Sequence, residues 1–190
     1  MTTTARDKLI ESAIGLMRTH GVSGTTVADL LSDSGVARRS LYLNFPQGRG
    51  ELLGEAAQTA GTAMSEGLAA VLADAREPIV VMRTLLTAVG EGLAADDYDA
   101  GCPVVASALG GRDAPAARES ACGTFELWLN VVEQALVTAG VPAQRAPSLA
   151  ALMVSSVEGA VILCIAQRST TPLDHVANEL EQLLDTVLDR

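Results

Sequence analysis

Arg38 and Arg39 stand side by side, with Ser40, Tyr42 and Asn44 close behind. A guanidinium fork meets paired acceptors well, whether on the edge of a guanine or on phosphate oxygens. Hydroxyl and amide side chains beside such forks suit single acceptors on a sugar-phosphate backbone. Thr25 and Thr26 precede this row and Arg49 follows it, all at expected helix starts, where backbone N–H groups favour anions. The chemistry on offer is recognition of an ordered polyanion.

A short helix must hold that row outward. Residues 26–45 read TVADLLSDSGVARRSLYLNF. Thr26 followed by Asp29 is a capping-box-like helix start, with Asp in place of the usual Glu or Gln. Val27, Leu30 and Leu31 give that helix an apolar face. Gly35 supplies the positive φ of a tight turn. The next helix opens with Arg38, and Leu41 and Phe45 point inward at i, i+4 spacing. An earlier helix over residues 6–20 carries Leu9, Ile10, Ala13, Ile14, Leu16 and Met17 and ends at Gly21. This is the layout of a helix-turn-helix, whose second helix enters the major groove. A helical hairpin with a solvated basic end has the same local pattern.

Catalytic constellations find little support. His20 and His175 are the only histidines, and neither sits in a recognisable nucleophile arrangement. The sequence implies no metal and no cofactor, and no enzyme. Cys102, Cys122 and Cys164 are an odd number without metal-ligand spacing. With no signal peptide at the start, they read as reduced thiols in the cytoplasm. Cys102, next to Pro103 at a helix start, is a redox candidate, while a structural cysteine fits the same position.

Charge is unevenly distributed. The net charge is −10, yet residues 1–50 hold six basic against four acidic side chains, a net of +2, so the remainder carries −12. An acidic body repels nucleic acid while a slightly basic head engages it. Binding through such a head depends strongly on salt and calls for two heads acting together.

The rest reads as helices. They are expected over residues 51–75, 79–95, 103–109, 114–139, 147–168 and 173–188, broken at Pro78, at Gly110-Gly111 and at Gly140-Val141-Pro142. The predicted fold is all-α, a three-helix head plus a helical bundle, about nine helices in total. Residues 149–166 form an apolar run of eighteen with one charge, Glu158. That approaches the length of a membrane span. A mid-span carboxylate and the lack of basic flanks favour a helix buried in protein, with no membrane.

Across residues 6–52 the chain resembles the TetR family of transcriptional regulators. The resemblance rests on His20-Gly21, Thr26-Val27, Asp29-Leu30, Gly35-Val36, Ser40-Leu41-Tyr42, Asn44-Phe45-Pro46 and Glu51-Leu52. The Pro46-Gln47-Gly48-Arg49 turn, Gly101-Cys102-Pro103-Val104, Val157-Glu158-Gly159-Ala160 and Gln167-Arg168-Ser169 with Pro172-Leu173 are similar to its LmrA/YxaF-like branch. Ala37 departs from the Ser that caps the reading helix in many relatives, and Ala28 replaces a frequent polar contact.

The resemblance implies a DNA-binding domain at residues 1–48 and a ligand-binding and dimerisation domain at 49–190. The implied partners are a palindromic double-stranded operator, a small hydrophobic or aromatic ligand, and a second copy paired through the last two helices. Val154, Val157, Val161, Leu180, Leu184 and Val187 would be split between core and interface. The DNA contacts would be Thr25, Thr26, Arg38, Arg39, Ser40, Tyr42, Asn44 and Arg49. Candidate ligand contacts are Met82, Leu86, Val89, Leu93, Val104, Phe125, Trp128, Leu129, Glu158, Ile162 and Ile165, residues that equally well fill a core. The implied function is a repressor released by its ligand. The alternative is a helical small-molecule-binding or interaction module that has lost operator binding.

Overall fold

Threonines open the first two helices. Thr4 caps α1 (Ala5–Gly24) by accepting from the Asp7 amide, and Asp7 accepts in return from the Thr4 amide. Thr26 and Asp29 repeat the exchange at α2 (Val27–Ser34). Each box satisfies amides that a helix start leaves open. The box at Thr26 is the expected one; that at Thr4 is not anticipated from the sequence.

The chain continues through α3 (Arg38–Asn44), α4 (Arg49–Asp74), α5 (Pro78–Ala95), α6 (Pro103–Ala108), α7 (Pro115–Thr138), α8 (Ala146–Gln167) and α9 (Thr171–Val187). This computed structural model describes residues 3–74 and 77–188, and among them every regular element is a helix, nine in all. The all-α expectation holds. Ala75, the expected end of the fourth helix, lies outside the described residues. α1 bends at Gly21 (φ 69°), where the sequence reading stops it, and helical turns resume as far as Gly24.

Packing divides the chain into two compact units, one of Met1–Ala63 with Cys102–Phe125, the other of Met64–Gly101 with Glu126–Arg190. The division after residue 48 follows presumed function; packing follows the long helices, since α4 and α7 each supply residues to both units.

In the first unit, Leu9, Ala13 and Met17 of α1 meet Leu30 of α2, Leu41 of α3, Phe45, and Leu52 and Leu53 of α4. All eight are fully buried. Burying each Leu or Phe contributes about 1.5–3 kcal/mol. α6 also packs on α1. Within this unit α4 approaches α7 at small residues. A Cβ on Gly54 would lie 2.8 Å from that of Ala116, and one on Gly61 would come closer still to Thr124.

In the second unit, α9 turns Leu173, Ala177, Leu180 and Leu184 toward α5 and α8, at the three-and-four spacing of one helix face. Met82, Leu86 and Leu93 of α5 and Val161 and Cys164 of α8 complete that core. Burial pushes the Cys164 thiol above its ordinary value. α8 ends on Arg168 in the left-handed region (φ 51°). Its guanidinium spans Asp97 at 2.6 Å and Asp99 at 2.9 Å, in the acidic loop after α5. α5 and α8 are long and apolar enough to cross a bilayer, with mean hydropathy 1.3 and 2.2 over 18 residues. Here they pack against each other and against α9.

Candidate nucleic-acid interface

α3 has seven residues, and its register decides which of them face out. Leu41 is fully buried, as is Phe45 just beyond the helix. That inward pair turns Arg38, Arg39, Tyr42 and Leu43 outward. Among the described residues, neither Arg38 nor Arg39 meets a carboxylate. Gly35 adopts the left-handed conformation (φ 65°) that the turn before α3 requires. Ser34 fastens the same turn, donating its hydroxyl to the Leu30 carbonyl and accepting from the Val36 amide. Ala37 sits at the N-cap with no side-chain bond, so the first amides of α3 remain open to an anion.

α2 is held by charge as well as packing. The Thr26 hydroxyl beside Asp29, followed by the Thr26 amide, keeps the Asp29 carboxyl below its ordinary range. A depressed carboxyl stabilises the fold above the unfolded aspartate value. That contribution is lost as pH falls through the lower folded value.

The other sequence-derived contacts divide. Ser40 and Asn44 are half-buried along the side of α3, and the Asn44 amide already donates to the Ser40 carbonyl at 2.8 Å. Thr26 is exposed, but its hydroxyl serves Asp29 at 2.6 Å. Thr25 is corrected outright. It is 0% exposed, its hydroxyl donates to the Gly21 carbonyl at 2.8 Å and its amide to Val22, so no phosphate can reach it. Arg49 is half-buried and bonded within the protein: its Nε donates to the Thr25 carbonyl at 2.5 Å and its Nη2 to the Val22 carbonyl.

Leu43 went unnoticed in the sequence. At 69% exposure it lies beside Arg39 and Tyr42 on the outward face. A thymine methyl is the natural partner of an apolar side chain there. Its signal was the absence of Leu43 from the inward i, i+4 pair. The turn after α3 is also shaped for this face. Gly48 has φ 76°, and a Cβ there would lie 3.2 Å from the Tyr42 ring.

The expected ligand contacts are distributed over both packing units. Val104 is fully buried in the first unit, to which Phe125 also belongs, whereas the other candidates belong to the second. Ile162 is 56% exposed on α8. Met82, Leu86 and Leu93 are core residues of the second unit, with Val89 and Ile165 packed at its margin. Leu129 and Glu158 are half-buried. Trp128 is buried, and its indole N–H donates to the Ser65 hydroxyl at 2.9 Å. A cleft of about 260 Å³ opens between α5 and α9, lined by Leu86, Leu173 and Ala177 but also by Arg83, Glu91 and Asp174. Only Leu86 among the candidates reaches it.

α8 carries a second outward feature. Leu152, Ser155, Gly159, Ile162, Leu163 and Ala166 are exposed at helical spacing. Val161, Leu180 and Leu184 are core, and Val154, Val157 and Val187 are half-buried. Only 28% of the most apolar window of α8 is buried within the chain, which leaves a long apolar stripe for a partner.

Comparison with known proteins gives the same answer along nearly the whole chain. Residues 9–56 match the family of bacterial regulatory proteins of the tetR type. Residues 78–179 match the C-terminal domain of LmrA/YxaF-like transcriptional regulators. An HTH-type transcriptional regulator of Mycobacterium tuberculosis, Rv0196, is 34% identical over 186 residues, covering 94% of this chain and 93% of that protein. LmrA of Bacillus subtilis, also an HTH-type transcriptional regulator, is 24% identical over 182 residues, covering 95% and 96%. The fold matches a crystal structure of regulatory protein TetR from Rhodobacter sphaeroides with a TM-score of 0.85 at 20% identity, covering 94% and 97%. These relationships reach from the first helix to the last, and by them the chain belongs to the TetR family of DNA-binding transcriptional regulators.

Proposed function

We propose that this regulator is a cytoplasmic repressor that reads a palindromic operator through α3 and leaves it when a small hydrophobic or aromatic molecule binds the second unit. The observation that carries the reading is the outward row of Arg38, Arg39, Tyr42 and Leu43, set by the buried Leu41 and Phe45. Arg38 and Arg39 meet guanine edges or adjacent phosphates, while Ser40, Tyr42 and Asn44 hold the backbone. Residues 1–48 do the reading, and residues 49–190 bind ligand and partner.

The α8 stripe supports pairing with a second copy. Leu152, Ile162 and Leu163 supply apolar area, and Gly159 allows close approach. α9 contributes less, because its exposed positions include Asp174, His175, Asn178, Glu179 and Gln182. Paired heads place two reading helices about 34 Å apart, or a multiple of that, along one face of the duplex. A ligand coupling of about 1–3 kcal/mol suffices for regulation.

The test is operator binding with and without a panel of aromatic and aliphatic ligands, with Trp128 fluorescence followed in parallel. At least one ligand is expected to weaken operator binding by about 5–150-fold. Ligands that bind while leaving operator affinity unchanged would remove the ligand-release mechanism. A protein that binds ligand but no duplex would be the interaction module instead.

A further inference from the structure

The C-terminal end of α1 has a charge problem. Its last turn contains no basic residue, and its last carbonyls have no helical amide one turn on; of the backbone amides, only that of Thr25 meets the Val22 carbonyl, at 3.2 Å. Arg49, at the start of α4, solves it from a distance of more than twenty residues. Its Nε takes the Thr25 carbonyl and its Nη2 the Val22 carbonyl, while Nη1 reaches the Asp113 carbonyl at 3.5 Å. Asp113 lies in the turn between α6 and α7, and its carboxylate also accepts from the Ser23 hydroxyl at 2.6 Å. The turn sits tightly here. A Cβ on Gly110 would lie 3.0 Å from Val22 Cγ1 and 3.0 Å from the Ser107 carbonyl oxygen. One guanidinium therefore gathers the α1–α2 joint and the α6–α7 turn, and the residue after Thr25 is the N-cap of α2.

We propose that Arg49 is a positioning residue: it fixes the pitch of α2 and α3 by locking the α1–α2 joint to the α6–α7 turn, and it makes no phosphate contact of its own. The idea rests on the assignment of α2 and α3 as the DNA-reading pair. A planar fork with several fixed donors is what three carbonyls at different angles require. A lysine ammonium keeps the charge but cannot take the Val22 and Thr25 carbonyls in the same way. Ser23, Asp113 and Gly110 become determinants of operator affinity without facing DNA, and a displacement of the α6–α7 turn reaches the reader through them.

The experiment uses the full-length protein and a duplex selected by the wild-type chain from a random pool. Arg49→Gln, Arg49→Lys, Ser23→Ala and Gly110→Ala are compared with Arg39→Ala, by operator affinity across a salt series and by amide hydrogen exchange without DNA. Arg49→Gln is expected to weaken binding about ten-fold, with the slope of affinity against salt unchanged. Arg49→Lys is expected not to rescue. Ser23→Ala and Gly110→Ala are expected to weaken binding by smaller factors at the same slope. Exchange in residues 22–34 is expected to quicken in all four, while residues 79–95 stay as in the wild type. These two small variants carry the test if Arg49→Gln does not fold. The proposal is overturned if Arg49→Lys binds like the wild type and Arg49→Gln lowers the salt slope by about 0.9, the signature of one lost phosphate contact. It is equally overturned if exchange in residues 22–34 does not change. If the wild type selects no duplex, the DNA-reading assignment fails, and the exchange measurements still decide whether the lock exists.

Discussion

Phe45→Ala is expected to lower stability by about 3–5 kcal/mol, the range for removing a large buried ring. Whole domains are stable by only about 5–15 kcal/mol, so this one change removes a large share of that margin. Phe45 is fully buried against the apolar sides of α1, α2 and α4. The Arg6 guanidinium also sits 5.4 Å from the centre of its ring, and is itself paired with Glu55. That contact is partly exposed and adds little beside the burial. Urea denaturation followed by circular dichroism measures the loss. Operator binding is expected to fall with it, because α3 has only Leu41 and Phe45 to anchor its inward side. A loss under about 1 kcal/mol would mean that the ring is not the centre of that core.

Charging the stripe on α8 is expected to have the largest effect on DNA binding. Ile162→Glu with Leu163→Arg puts two charges where a second copy is proposed to pack. Both side chains are more than half exposed in the single chain, so the fold of the monomer is expected to survive. Sedimentation is expected to show a monomer where the wild type is a dimer. Operator affinity is expected to drop by about 10²–10⁴-fold, the gain that two linked heads have over one. The head carries a net of only +2 within a chain of −10, so a single head has little electrostatic attraction to fall back on. A variant that remains dimeric would move the interface off this face.

How far the sequence alone reaches depends on the distance over which each feature is encoded. The Thr26–Asp29 box, the Gly35 turn and the inward Leu41–Phe45 pair are settled by residues within four positions of each other, and all three stand as expected. Thr25 and Arg49 look like phosphate ligands for the same local reason, because they lie at helix starts. Thr25 is turned inward by burial and by its bonds to Gly21 and Val22, whereas Arg49 is engaged by bonds to residues 24, 27 and 64 positions away, which no periodicity reveals. The ligand contacts are unreadable for another reason. Met82, Leu86 and Leu93 have the same chemistry whether they wall a pocket or fill a core; all three are core residues of the second unit, and Leu86 also lines the cleft between α5 and α9. Val104 and Phe125 fall in the first unit because α6 and the beginning of α7 belong to it, a partition that spacing along the chain does not carry. The stripe on α8 was visible as an apolar run. Its split between Val161 inside and Ile162 outside required the position of α9.

Methylation interference on a selected operator addresses the central claim directly, since it reports which guanine N7 atoms in the major groove the protein needs. The outward Arg38–Arg39 row predicts two patches of interference on one face of the duplex, about one helical turn or a multiple of it apart, and the loss of at least one guanine from each patch in Arg39→Ala. Binding that tolerates methylation at every N7 atom, or one patch that is the same in wild type and Arg39→Ala, would contradict it.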